Sequence, residues 1–383
     1  MAIQIMNKPV IDNHCHPFPI GRIPAQLERM WTLSLNSIPS EDLRHGIFYQ
    51  MMLREVRDYH GFSTDMPLTE VMERSHEMYL ENPEDYAEAL WKDANLQMMI
   101  GDIGSGVKKD SKRLTVEEVA DFERQSQFIQ VGKVNRIEFF TEDIISEGVS
   151  YTDFQDCFIE TTKRHIKEEN LIGLKSIIAY RTGLDVVPPT EIQFKEAYNR
   201  FLSNRDDFEA EKVIRAHVFL TAAQLCAELD IPLQVHAGAG DAPICDLRVH
   251  DPVQLYYAIN DPRARDTKII LLHASYPIVE HAAYLASQYS NIYTDVSSMV
   301  PYMANAAEAR LRTMLESLPF TKLLYGSDGS VKPDFLWYSA KYFKRTLQKV
   351  LNEFIDQGFI DDDFADHAAD LVLSENVKRL YKL

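Results

Sequence analysis

Residues 268–275 read Lys-Ile-Ile-Leu-Leu-His-Ala-Ser, and residues 322–328 repeat the shape as Lys-Leu-Leu-Tyr-Gly-Ser-Asp. A strand with one wet face alternates apolar and polar residues, whereas a strand covered on both faces is apolar along its length, as these two are. Both runs therefore predict buried parallel strands that end on polar residues. Six more runs join Lys268 to Ser275 and Lys322 to Asp328: Pro9 to His14, Gln97 to Ile103, Lys133 to Phe140, Gly173 to Arg181, Pro232 to Gly238 and Asn291 to Ser298. Helical patterns separate them at Thr115 to Phe128, Ile159 to Asn170, Asp207 to Leu229, Pro252 to Ile259, Pro277 to Gln288 and Asn305 to Ser317. Eight strands alternating with helices predict an α/β fold of the (β/α)8 type, a TIM barrel. An open doubly wound sheet is the alternative, although no Gly-x-Gly-x-x-Gly turn follows the first strand.

One connection is out of proportion. Strands one and two are separated by residues 15–96, where a βα unit needs far fewer. Residues 20–95 carry helical patterns with Met and aromatic residues at helical spacing, which predicts a helical insertion after strand one. A loop leaving the end of a barrel strand emerges at the face that carries active sites, so the insertion is expected to cap the mouth of a single barrel domain spanning 1–383. Residues from Phe335 to Leu383 read as two or more helices completing the outer ring.

Composition narrows the function. With 45% apolar and 26% charged residues the chain has the balance of a folded globular protein, and a net charge of -18 without a basic stripe argues against nucleic acid. No apolar run is long enough to span a membrane, and Met1 to Pro9 lacks the pattern of a secretory leader. The four cysteines, Cys15, Cys157, Cys226 and Cys245, show no CxxC spacing and read as reduced thiols, so a cytoplasmic protein is expected. The expected partner is a small-molecule substrate, with self-association into a homo-oligomer left open.

The chemistry sits at the strand ends. In Asp12-Asn13-His14-Cys15-His16 the two histidines are two residues apart, so in a strand they project to one face while Cys15 faces away. Paired imidazoles at the C-terminal end of a barrel strand are placed to hold a metal ion. His236 ends strand five, His273 ends strand six and Asp328 ends strand eight, so the ligand types recur at the same barrel face. Lys175 lies early in the apolar run of strand four, where an ammonium is costly. Arg181 shares its parity and suits a substrate carboxylate. Glu138, at the end of strand three, could meet an amine or order Arg136, and Tyr180, of opposite parity, ranks lower. His250 and Asp241 fall in the loop after strand five, and the remaining histidines are read as non-ligands.

This arrangement resembles the amidohydrolase superfamily, with HxH on strand one, histidines on strands five and six and an aspartate on strand eight. More narrowly, "GLKSIIAYRTGL", "QVHAGAGDAPICDLRVHDPVQL", "ILLHASYPIVEHAAYLASQYSNIYTDVS", "KLLYGSDG" and "ENVKRLYKL" are similar to the branch that includes the hydrolase-like domains of FluG and nodulin-type proteins. The resemblance implies one or two divalent ions, zinc foremost. A carbamate on Lys175 would bridge two, with His14, His16 and Asp328 around one and His236 and His273 around the other. Without it, His14, His16, His236 and Asp328 hold a single ion and His273 supports them. The reading taken is hydrolysis of an amide or other C–N bond of a small carboxylate-bearing molecule by metal-activated water, with Asp328 as general base; two ions favour it, whereas a single ion reopens non-oxidative decarboxylation. Non-oxidative decarboxylation, sugar-acid isomerisation and a non-catalytic metal-binding scaffold are the alternatives.

Overall fold

The computed structural model describes residues 2–18, 20–22, 27–104, 106–108 and 113–383. Eight strands form one parallel sheet in chain order: β1 Val10–Cys15, β2 Leu96–Asp102, β3 Gln130–Arg136, β4 Gly173–Ser176, β5 Leu233–Val235, β6 Ile269–Leu271, β7 Ile292–Asp295 and β8 Leu323–Leu324. The ends meet through backbone bonds from Asn13 N to Tyr325 O (3.0 Å) and from Asp328 N to His14 O (2.7 Å), so the ladder runs round as a (β/α)8 TIM barrel. Ile11, Met98, Ile100, Val134, Ile270, Leu272 and Leu324 pack together inside it, and Val377, Leu380 and Tyr381 of the last helix, Asn376–Tyr381, close that core. The opposite end is thereby left to the strand C-termini, where the polar residues cluster.

The strands are shorter than their apolar runs suggest. At β3 the run passes directly into a helix, Ile137–Ser146, because Ile137, Phe139 and Phe140 serve a buried helix face as well as they would serve a strand. At β4 the chain leaves the sheet after Ser176 and turns through Ile178–Tyr180. Glu138 fixes that departure, accepting from Ser176 Oγ at 2.8 Å and from Ile177 N at 3.0 Å. Between Asp12 and Cys15, β1 spends three steps against two of β2, a bulge of the kind that re-aims side chains beside functional sites.

Among the described residues a short 3-10 turn, Leu27–Met30, and four α-helices follow β1, the latter at Ser40–Arg44, Ile47–Tyr59, Leu68–Glu81 and Pro83–Ala94. The last lies along the long helix Pro333–Asp356, fastened where Trp337 Nε1 donates to Asp93 Oδ2 at 2.7 Å, and Phe48 packs edge-on to Phe335. The segment before these helices crosses to the barrel mouth, where Leu35 N donates to Ala242 O at 2.7 Å. Among the described residues no helix is long and apolar enough to cross a membrane.

Candidate metal centre

The C-terminal ends of the strands enclose a cavity of about 40 Å³ lined by His14, His16, Leu33, Val107, Arg136, Lys175, Ile177, Tyr180, His236, Gly240, Asp241, His273 and Asp328. Five of its walls are the histidines and the aspartate that the strand ends nominate. His14 Nε2 and His16 Nε2 each lie 3.3 Å from Asp328 Oδ1, and His273 Nδ1 lies 4.0 Å from Asp328 Oδ2. His236 Nδ1 faces His273 Nε2 at 3.0 Å, and its own Nε2 is buried with no partner among the described residues. Two sets of atoms lie within 4.8 Å of one another, close enough to share a cation: those of His14, His273 and Asp328, and those of His14, His16 and Asp102.

The backbone at these positions is unusual. His273 and Asp328 have φ of 65° and 59°, in the left-handed region that non-glycine residues enter at a cost. The loop after β8 is held there by Asp12, whose carboxylate accepts from Ser327 N at 2.9 Å and from Ser327 Oγ, while Gly329 O accepts from His16 N at 2.7 Å.

Burial sets the protonation states. It pushes the His14 ring down to about 3, helped by the nearby Lys175 ammonium, and the His273 ring down to about 4. The His236 ring is likewise pushed well below its usual value, by burial and then by His273. All three are therefore neutral at physiological pH, the state in which imidazole binds metal. For Asp328, burial acts upward, but the His273, His14 and His16 rings prevail and hold its carboxyl well below the usual range. Lys175, whose Nζ lies 3.4 Å from His14 Nε2, is pushed down to about 8 by burial against the pull of Asp102.

The substrate-side expectations fare differently. Arg181 is not a strand residue: its guanidinium turns to Glu142, at 3.4 Å, and to the carbonyls of Val107 and Lys108, and it does not line the cavity. Glu138 is spent on the end of β4 and does not line it either. Tyr180 does, with its ring 4.4 Å from that of His236 and its hydroxyl donating to Asp241 Oδ2 at 3.2 Å. The cavity's arginine is Arg136, whose Nε donates to the buried Asp102 at 2.8 Å and whose Nη1 donates to Gly106 O. Asp102 and Asp295 are the last residues of β2 and β7, so the strand-end criterion that finds His236 and Asp328 applies to them equally.

The sequence profile of the family described as Amidohydrolase matches residues 158–383, more than half of the chain. The chain belongs to the amidohydrolase family. It is 29% identical over 285 residues to Protein fluG of Emericella nidulans, a stretch covering 71% of this chain and 32% of that protein, so it spans about a third of that relative's length. Among solved structures, a Lactobacillus casei protein assigned as a metal-dependent hydrolase superposes with a TM-score of 0.81 at 23% identity, covering 100% of this chain and 98% of the other. Glucuronate isomerase from Caulobacter crescentus superposes with a TM-score of 0.68 at 14% identity, covering 98% and 91%. At those identities the likenesses speak to the barrel alone, and the reaction of this amidohydrolase-family chain has to be argued from its own side chains.

Proposed function

We propose that residues 1–383 form one metal-dependent hydrolase domain that cleaves an amide or other C–N bond of a small carboxylate-bearing molecule. The observation that carries the reading is the convergence of two imidazole Nε2 atoms on one carboxylate oxygen, each at 3.3 Å. The donor set fits a divalent ion: His14 and His16 supply two imidazole nitrogens, Asp328 supplies a carboxylate oxygen, and His236 offers a buried, unpartnered Nε2 from the same cavity. Imidazole with carboxylate suits zinc. A bound ion supplies Lewis acidity there, polarising a carbonyl and lowering the pKa of water toward 7.

The chain's residues do the rest. Asp328 takes the proton of the attacking water at its carboxylate and delivers it to the departing nitrogen, which protonates readily once the C–N bond weakens. Arg136, held by Asp102, is the guanidinium available to a substrate carboxylate, in place of Arg181. A cavity of about 40 Å³ holds a few waters at most, so a substrate has to widen it, and Leu33 and Val107 are among its lining residues. Leu33 belongs to the 20–95 insertion, which supports reading that insertion as the cap. The four cysteines are free, as suits a reducing cytoplasm.

A substrate-library screen on the zinc-replete chain tests the reading. Release of an amine that stops on chelation and in Asp328→Asn is expected. Release of carbon dioxide, or aldose–ketose interconversion without C–N cleavage, would replace hydrolysis by decarboxylation or isomerisation, and a chain that binds no zinc would leave only a scaffold.

A further inference from the structure

Asp295, at the end of β7, is fully buried and accepts four hydrogen bonds. Asn13 Nδ2 reaches its Oδ2 at 2.9 Å, while His273 N (2.9 Å), Ser297 N (3.1 Å) and Ser297 Oγ (2.7 Å) all reach its Oδ1. The Asn13 amide is oriented in turn by Tyr381, whose hydroxyl donates to Asn13 Oδ1 at 3.0 Å and accepts from Gln234 Nε2 at 2.9 Å. A side chain at position 326 would intrude, since a Cβ on Gly326 would come within 2.7 Å of Asp295 Oδ2.

The directions of these bonds decide where the protons of the histidine pair lie. A hydroxyl has one proton, and an ionised carboxylate only accepts, so the proton of Ser297 Oγ goes to Asp295. Ser297 Oγ, 2.9 Å from His273 Nδ1, is then an acceptor, and His273 must carry its proton on Nδ1. The carbonyl oxygen of Ser297, at a longer 3.3 Å from the same nitrogen, can only accept, so it agrees with that proton position while holding it less firmly than the hydroxyl does. His273 Nε2 is therefore a lone pair, and it receives the Nδ1 proton of His236 at 3.0 Å. What remains is His236 Nε2, a lone pair that is buried and without a partner among the described residues.

We propose that Asp295 is a positioning residue: acting through Ser297 it fixes His273, and through His273 also His236, as Nδ1–H tautomers, so that the pair offers a metal one donor, His236 Nε2. By distance alone His273 Nδ1 groups with His14 and Asp328 as a ligand, but a protonated nitrogen has no lone pair to give. His273 is then a support for the site and not a ligand. Asp295 also grips the backbone of His273, whose φ of 65° needs such a hold.

The test is nitrogen NMR on the full, metal-free chain labelled at histidine, with zinc affinity measured alongside. Both His236 and His273 are expected to show protonated Nδ1 and unprotonated Nε2. In Ser297→Ala the His273 ring should become a mixture of tautomers and zinc affinity should fall by roughly 10- to 100-fold, the usual effect of removing the group that orients a liganding histidine. A His273 ring protonated on Nε2 in the parent chain overturns the proposal, whether or not the variant folds. So does a Ser297→Ala chain whose ring signals and zinc affinity match the parent. Only the affinity readout rests on the metal-site reading: a parent chain that binds no zinc, yet shows both Nδ1–H rings, defeats that reading and upholds this one.

Discussion

Two walls of the cavity carry histidines at equivalent strand ends and use them differently. On the β1 and β8 wall, His14 and His16 turn their Nε2 atoms to one carboxylate oxygen, with Lys175 Nζ also 3.4 Å from the Nε2 of His14. On the β5 to β7 wall, His236 and His273 face each other, and the chain of bonds continues into Ser297 and Asp295. The first wall turns its donor atoms toward one carboxylate; the second holds its protons in fixed places and leaves a single donor, His236 Nε2. The role of His273 is thus set by what accepts its proton on the far side, more than by its position on the barrel.

The largest effect should come from breaking the first wall. His14→Ala combined with His16→Ala removes two donors from the same oxygen of Asp328, and zinc measured per purified chain should fall to near zero. The far-ultraviolet spectrum should persist, because barrel stability and the C-terminal face are largely separate. Zinc retained at the parent level would mean that the second wall, not the first, binds the ion.

Asp328→Asn asks for the chemistry without the ligand loss. Asparagine enters the left-handed region more readily than most residues, so the φ of 59° is no obstacle, and it keeps an oxygen donor. Metal content should stay near the parent while turnover drops at least ~10²-fold, the lower end of what losing a general base entails. A variant that holds metal and keeps most of its activity would reduce Asp328 to a ligand and send the search for the base to the other wall.

The two walls were also unequally visible in the amino-acid sequence. His14, His16, His236, His273 and Asp328 could be read because each ends an apolar run, and burial on both faces makes such runs conspicuous. Asp102 and Asp295 end their runs too, but an aspartate there is equally a turn residue, and its partners Arg136 and Ser297 are distant or loop-borne. Arg181 and Glu138 were misplaced for a different reason. Their apolar neighbours, Ile137, Phe139, Phe140, Ile177 and Ile178, are buried in a helix or a tight turn instead of a strand, and periodicity over so few residues does not separate these states. Which imidazole nitrogen carries a proton depends on Ser297, contributed by a different strand end, and no linear pattern expresses that.

Lys175 stands between the walls, and its replacement gives a smaller effect that sharpens the contrast. With an unmodified lysine the site takes one ion, and Lys175→Met, which removes a buried amine 3.4 Å from His14 Nε2, should leave zinc content near one per chain. The intact mass of the replete parent should show no added carbon dioxide. Two ions per parent chain, a carbamate mass and loss of one ion in Lys175→Met would instead make His273 a ligand as well, with the two walls joined by a carbamate bridge.

The smallest effect is on the metal-free chain in mild acid, where both walls should behave alike. Unfolded histidines titrate near 6.5, whereas burial takes the His14 and His273 rings down to about 3 and about 4, and His236 well below its usual value. Below pH 6.5 the unfolded chain therefore binds more protons at these positions than the native chain does, and by linkage stability falls with falling pH. The rings' contribution is whole above 6.5 and is lost as pH drops toward those native values. Asp12 has the opposite sign, because burial raises its carboxyl from 3.8 to about 7, so its contribution is whole below 3.8 and is lost as pH rises through 7. Asp295 and Glu138 are raised by burial in the same way as Asp12, but His60, His76, His217 and His250 are lowered like the three site rings, so the rings outnumber the carboxyls, and the thermal midpoint of the metal-free chain should decline between pH 6.5 and about 4.5. With zinc the decline should be steeper, since the ion is held only by neutral rings and protons compete for them. A midpoint that is flat or rises over this interval would mean that one wall takes up its proton in the folded state. The wall on which that happens, read from the histidine NMR signals, would then be the one that does not hold neutral donors ready for the ion.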